Sequence, residues 1–380
     1  MKRANGLIWL FTCVLLLAPA KAGAQSVPGV VSIENEVLSR YLNDSDYDTA
    51  DYTYTNMDKY VPPRSGQYDK PDPVVFNWEY TSTWKEMQLE IYDLTAPETP
   101  VARYVVPAAT KTCAVYNLIP ERSYAYLLLG KNFQYLFPVE EGTFFVEGRR
   151  RMLRAPYVTN IRDFGGLRTD DGRAVRFGRL YRGAAMDHIR GGVRSMIITP
   201  DGVSVFRDVM QIGADIDLRS PKELLLNDAD PSNDMTNSPL GPDVEYYNFR
   251  ISDFGGVRTS HMYGQPIAKI VDCLERGLNV YLHCAAGADR AGMLSFLLAA
   301  MAGVSENDLA RDYELTSLAH GGSARHARNA LGAYNYAPTV EYIKTNFQGR
   351  TFAEKVQNYL IAKHDVTRAQ IESLQRILVE

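Results

Sequence analysis

A cysteine and an arginine six residues apart frame the run His283-Cys284-Ala285-Ala286-Gly287-Ala288-Asp289-Arg290-Ala291-Gly292. A thiol with an ordinary pKa of about 8.5 is mostly protonated at neutral pH. A helix N-terminus and nearby cations lower it into the range of roughly 3.5–7.5, where the thiolate is the nucleophile. Consecutive backbone N–H groups over residues 285–290, opening onto a helix, form a cradle for a phosphate dianion and favour the same thiolate. Cys284 is then placed to attack phosphorus, and Arg290 to grip two phosphoryl oxygens as the transition state forms. Gly287 lets the loop curl close to its ligand. Ala285, Ala286, Gly287, Ala288, Asp289 and Arg290 are thus the expected phosphate-binding set. The plainer alternative is an inert cysteine ahead of a core helix. None of the other three cysteines has an arginine at this spacing.

That chemistry needs a strand to deliver the cysteine and a helix to receive the arginine. Leu278–Leu282 reads as a buried strand, and the apolar positions Met293, Leu294, Phe296, Leu297 and Ala300 predict a helix opening near Arg290. Further strands are expected at Ala214–Leu218 and Val244–Phe249. Helices are expected at Val203–Ile212, Gln265–Arg276, Glu306–Leu318 and near Val340–Phe347 and Ala353–Ala362. Strands alternating with helices predict an α/β domain with a mostly parallel central sheet over 149–380.

Upstream the texture differs. Over 71–148, six short alternating runs (Val74–Tyr80, Met87–Tyr92, Ala102–Val106, Thr112–Leu118, Tyr124–Leu129 and Thr143–Val146) predict an all-β sandwich. Trp78 on an early strand, and Tyr116-Asn117-Leu118-Ile119-Pro120 ahead of Tyr124 and Tyr126, give this stretch a resemblance to a fibronectin type III domain. Residues 25–70, rich in Asp, Tyr, Asn and Pro, read as a solvated extension whose tyrosines reach the next domain. The aspartates at 44, 46, 48 and 51 lack the glycine and distal glutamate of a calcium loop.

Residues 1–24 have the pattern of a signal peptide: Lys2 and Arg3, an apolar run from Leu7 to Leu17, and Ala22-Gly23-Ala24 before Gln25. The run is short of the roughly 20 residues a membrane span needs. Cleavage leaves 356 of the 380 residues and, by removing Lys2, Arg3 and Lys21, takes the formal charge from −4 to −7. The expected location is periplasmic or secreted, with no integral membrane segment in the mature chain. The acidic balance argues against a nucleic-acid partner. Cys113, Cys273 and Cys284 remain, an odd number, so at least one thiol stays unpaired within the chain. No residue set calls for a metal, and no cofactor is implied.

Four blocks carry a resemblance to the protein tyrosine phosphatase superfamily, closest to its bacterial tyrosine/serine branch with dual-specificity and phosphoinositide-active members. They are Asn160-Ile161-Arg162-Asp163-Phe164-Gly165-Gly166 continuing through Asp171-Gly172-Arg173 to Gly178-Arg179-Leu180-Tyr181-Arg182-Gly183; Asp217-Leu218-Arg219-Ser220 with Glu223; the Cys284 loop; and Gly303-Val304 with Leu309, Asp312-Tyr313 and Leu315-Thr316. The resemblance implies a cysteinyl-phosphate mechanism and a phosphorylated protein or small-molecule phosphate ester as substrate. Two positions depart from it. Ala291 stands where the family often has a hydroxyl that aids release of the thiolate, which would slow the second step. Ala288 replaces a lysine common in the branch, which weakens the case for highly charged phosphoinositides. The alternatives are an inositol phosphate or phosphoinositide phosphatase, or a low-turnover phosphate-ester binding module; a third makes the β-sandwich the working part, in adhesion or scaffolding.

A general acid must protonate the leaving oxygen. Asp253, in Ser252-Asp253-Phe254-Gly255-Gly256, lies 31 residues before Cys284, a spacing that resembles the acid loop of dual-specificity phosphatases. Asp289 is the rival and Asp217 the third candidate. Asp163 and Arg162 are expected to tie the Gly165-Gly166 turn to the sheet. The arginines between 149 and 182 are expected either as a positive approach for phosphate or as a solvated face.

Overall fold

The computed structural model describes residues 27–45, 60, 68–79, 84–190, 193–220, 237–251, 262–319 and 336–380. The signal peptide expected at 1–24, with Cys13, and the residues Glu223 and Asp253 all lie outside these residues. The chain divides into two compact units, one running to Ile33 and resuming at Asp72–Gly148, the other made of Glu34–Pro71 and Arg149–Glu380.

The first unit is built of sheet. Strands β1 (Val30–Ser32), β7 (Tyr135–Glu147), β6 (Arg122–Asn132), β3 (Glu86–Asp93) and β4 (Ala102–Pro107) form one sheet in that order. β2 (Val74–Asn77) and β5 (Thr112–Val115) form another. In β2 the alternation is plain: Val74 and Phe76 are buried while Val75 and Asn77 face out, the period-two pattern of a half-buried strand. Phe76 meets Tyr126 and Phe144 with ring centroids 5.2 and 5.6 Å apart. Burial among these groups pushes the free Cys113 thiol up to about 11.

The second unit is a mixed α/β body. Its five-stranded sheet runs β13 (Glu245–Asn248), β12 (Ile212–Asp217), β14 (Asn279–Cys284), β9 (Leu180–Ala184) and β8 (Arg162–Asp163). The β13–β12, β12–β14 and β14–β9 pairs are parallel, and β9–β8 is antiparallel. Asp217 pairs with His283 and Cys284 with Ala184, so three strands end together at one edge, where ligands of parallel sheets bind. The helices are α1 (Glu36–Leu42), α2 (Pro200–Ser204), α3 (Gly264–Glu275), α4 (Arg290–Met301), α5 (Glu306–Leu315), α6 (Tyr336–Asn346), α7 (Phe352–His364) and α8 (Arg368–Leu378). Every residue of α4 is buried, as expected of a helix apolar all round. The helix expected at Val203–Ile212 starts and ends three residues earlier: α2 passes into a π-helical turn at Val205–Val209, and Ile212 already opens β12. Among the described residues no helix is long and apolar enough to cross a membrane.

The reading of 25–70 as a solvated extension needs correction. Leu38, Tyr41 and Leu42 on α1, and Tyr60, are buried in the same core as α4 and β14. Helix α1 begins at an Asn35 cap, whose side chain accepts from the Leu38 N–H. It ends on Arg311, whose guanidinium donates to the carbonyls of Tyr41, Leu42 and Asp44. Those carbonyls lack helical partners and carry the negative end of the helix dipole, so a cation suits them. Composition misleads here because the aspartates follow directly on a short helix of only seven residues.

Candidate active site

Cys284 ends β14, residues 285–289 turn, and Arg290 opens α4. The structure therefore brings together every member of the expected loop, with Cys284 and Arg290 buried and Asp289 half-buried. In a planar trans peptide the C=O and the following N–H point opposite ways, so whatever holds the carbonyls on one side aims the amides to the other. The Ala285 carbonyl accepts from the Ala185 N–H at 3.1 Å, that of Ala286 from Asn160 Nδ2 at 3.1 Å, and that of Gly287 from Arg182 Nη2 at 2.8 Å. The N–H groups of Ala286, Gly287 and Ala288 are thereby turned inward. Among the described residues they donate to no protein atom. Three successive inward amides after a thiol are an arrangement that can hold an anion.

Gly287 is required twice over. Its φ of +67° is one L side chains rarely adopt. A Cβ there would also lie 2.3 Å from the carbonyl carbon and oxygen of Gly183 on β9. On the other flank, Arg290 Nη1 donates to the carbonyls of Leu218 and Ile251, both at 3.3 Å. That fixes the guanidinium over the ends of β12 and β13.

Beneath the loop lies a hub that sequence reasoning missed. Asp312 on α5 is buried and receives three guanidiniums: Arg150 Nη2 at 2.8 Å, Arg162 Nε at 2.9 Å and Arg182 Nη1 at 2.7 Å. Burial alone would raise its carboxyl; Arg162, Arg182 and Arg150 outweigh that and hold it far below the usual carboxylate range. Burial, with Arg162 nearby, pushes Arg182 down to about 10, so it stays cationic at neutral pH. The expectations for these arginines hold only in part. Arg154, Arg168, Arg173 and Arg176 are exposed, as a solvated face requires, but Arg150, Arg151, Arg162 and Arg182 are buried struts. The missed signal is the pairing of Asp312, inside a quoted block, with the arginines of another block some 150 residues away. Asp163 accepts from the N–H groups of Gly165 at 2.9 Å and Gly178 at 2.8 Å, and Arg151 braces it at 3.3 Å. It tethers a turn rather than facing the nest.

A second network lies on the β12 side. Arg219 chelates the Asp217 carboxylate through Nε and Nη2 and reaches Asp187 Oδ1 at 2.9 Å. Tyr246 donates to Asp217 Oδ2 at 2.9 Å. Burial would raise Asp217, but His283 and Arg219 bring it below its ordinary value. A fully buried carboxylate so engaged is unsuited to donate a proton, which removes Asp217 from the general-acid candidates. His283 Nε2 lies 3.0 Å from Asp215 Oδ1, and Nδ1 lies 3.3 Å from the Cys284 carbonyl oxygen. Burial pulls the imidazole down, yet Asp217 and Asp215 more than compensate, so it titrates above its usual value. Among the described residues no group of three His, Cys, Asp or Glu side chains is placed to hold a metal.

Residues 153–380 match the tyrosine phosphatase family. The chain belongs to that family. It is also 27% identical over 186 residues to a Cupriavidus necator protein named as a tyrosine-protein phosphatase. That alignment covers 44% of this chain, and the chain spans 63% of the relative's length. The family match takes in β8 to α8 with the whole Cys284 loop. It leaves out Glu34–Pro71, the part of the second unit that falls in sequence between the two stretches of the first.

Proposed function

We propose that this chain is a cysteine-dependent phosphatase acting on phosphomonoesters, with phosphotyrosine as the favoured substrate. The observation that carries the reading is the Cys284 loop, with its carbonyls of residues 285–287 tied outward and its amides left for an anion. In the first step the Cys284 thiolate attacks phosphorus, the S–P bond forms and the P–O bond to the leaving group breaks. Arg290 and the loop amides hold the non-bridging oxygens, and a general acid gives its proton to the departing oxygen. In the second step water attacks phosphorus and the S–P bond breaks. Inorganic phosphate leaves and the thiolate returns.

Asp253 is the proposed acid. The carbonyl of Ile251, two residues before it, touches Arg290, and two residues span at most about 7 Å. Asp289 at the start of α4 is the alternative. Ala291, fully buried, supports a second reading in which breakdown of the phosphocysteine is slow and the chain works largely as a phosphate-ester binder. The leader pattern supports export to the periplasm or beyond. A fibronectin type III-like first unit is supported by Tyr124, whose hydroxyl accepts from the Ile119 N–H and donates to its carbonyl, the contact of a tyrosine corner.

The test is turnover of p-nitrophenyl phosphate by wild type and Cys284→Ser. The variant is expected to bind the ester and lose turnover; undiminished hydrolysis would sink the mechanism. One equivalent of product followed by near silence, with phosphocysteine seen by mass spectrometry, would favour the slow second step.

A further inference from the structure

The outward tie on the Ala286 carbonyl is the side chain of Asn160, and Asn160 is itself held from an unexpected quarter. Its φ is +60°, a left-handed conformation that Asn tolerates better than most residues but that still needs support. Its N–H donates to Asp69 Oδ2 at 2.6 Å. Asp69 and Asn160 are both fully buried. The segment bearing Asp69 is strapped down on each side: Asn35 Nδ2 donates to the carbonyls of Tyr68 and Lys70, the Tyr68 N–H donates to the Leu318 carbonyl, and Lys70 Nζ donates to the Val158 carbonyl at 2.6 Å. From Asp69 the chain of contacts runs through the Asn160 backbone, along its side chain to the Ala286 carbonyl, and across that peptide to the inward N–H of Gly287. Arg162 Nη1 donates to Asn160 Oδ1, and a donor-only guanidinium on one side with an acceptor-only carbonyl on the other limits the amide to one orientation.

Resting on the phosphatase reading above, we propose that Asp69 is a positioning residue for the phosphate loop, acting through Asn160. It comes from the stretch 34–71, outside the span that matches the family, so this chain sets its loop amide with a group the family match does not supply. Without the carboxylate the Asn160 N–H is buried with no acceptor. The backbone there relaxes toward ordinary φ, and the Ala286–Gly287 peptide is free to rotate its N–H away from the nest.

Three variants of the full chain test this: Asp69→Leu, Asp69→Asn and Asn160→Gly. The readouts are p-nitrophenyl phosphate kinetics, thermal unfolding, and the pH dependence of Cys284 alkylation by iodoacetate, which reports how well the loop amides stabilise the thiolate. Asp69→Leu is expected to lower kcat roughly 10- to 100-fold with a much smaller change in KM, and to move the alkylation profile to higher pH. Asp69→Asn keeps an acceptor oxygen and should stay near wild type. Asn160→Gly tolerates the positive φ but lacks the amide, so it should reproduce the alkylation shift, and it carries the test if Asp69→Leu does not fold. An alkylation profile that superposes on wild type in Asp69→Leu, or in Asn160→Gly where Asp69→Leu does not fold, would reduce Asp69 to a structural residue and overturn the proposal, whatever the melting temperatures. So would failure of Asp69→Asn to rescue. If wild type itself does not hydrolyse the ester, the phosphatase reading fails, while the alkylation arm still judges the positioning role.

Discussion

Replacing Asp312 with asparagine keeps the shape of the side chain and removes the one charge on which Arg150, Arg162 and Arg182 converge. All three guanidiniums are at most 5% exposed, so they cannot turn to water, and Arg182 also holds the Gly287 carbonyl. Breaking a buried ion pair by removing one partner costs about 3–5 kcal/mol, because the remaining charge stays desolvated. For a unit of this size each kcal/mol moves the melting temperature by about 2–4 °C, so Asp312→Asn should melt about 6–20 °C lower than wild type in a calorimetric scan at pH 7. The acid limb gives a second reading. Asp312 is depressed in the folded state, so its contribution is present above the unfolded carboxyl value of about 3.9 and is lost as pH falls toward the folded one. The gap between variant and wild type should therefore narrow below about pH 4. Adding Arg150→Met removes one stranded cation and should recover part of the loss, a coupling expected of residues that touch. A melting temperature within about 2 °C of wild type would refute the view that this carboxylate holds the site together.

Two further outcomes follow from the loop and its surroundings. Gly287→Ala combines a strained φ, costing about 1–2 kcal/mol, with a Cβ 2.3 Å from the Gly183 backbone. Turnover of p-nitrophenyl phosphate should fall by roughly 100-fold or more, and wild-type kinetics would contradict the geometry. His283 has a raised folded value, so its ion-pair contribution is full below about pH 6.5 and fades as pH climbs through the folded value. Melting temperature against pH should then decline for wild type over that climb and run flatter for His283→Gln. Parallel curves would show that the Asp215–His283 contact carries no such linkage.

The Cys284 loop was legible because its determinants are local. Strand, turn and helix follow within about twenty residues, and the glycine sits where the backbone must turn left-handed. Gly287 nevertheless owes half its necessity to β9, since only the pairing of His283 with Gly183 sets another backbone against it. The misread stretches share one physical cause. Arg150, Arg162 and Arg182 look like surface residues because charge is normally solvated; they are buried because a carboxylate on a distant helix neutralises them. The polar stretch around α1 looks solvated because its partners, Arg311 and Glu314, lie about 270 residues away.

By itself the sequence singled out the Cys284–Arg290 loop as the candidate site and the α/β character of the region around it, since residue type, spacing and periodicity act over short distances. It also bore the family's blocks in readable order. Only the tertiary structure decided what holds the loop's carbonyls outward, because Asn160, Arg182 and the Ala185 N–H come from elsewhere in the chain. It likewise withdrew Asp217 from acid catalysis by burying it against Arg219, and it drew residues 34–71 into the second unit. Long-range hydrogen bonds and burial leave no periodic trace in sequence; they exist only once distant segments have met.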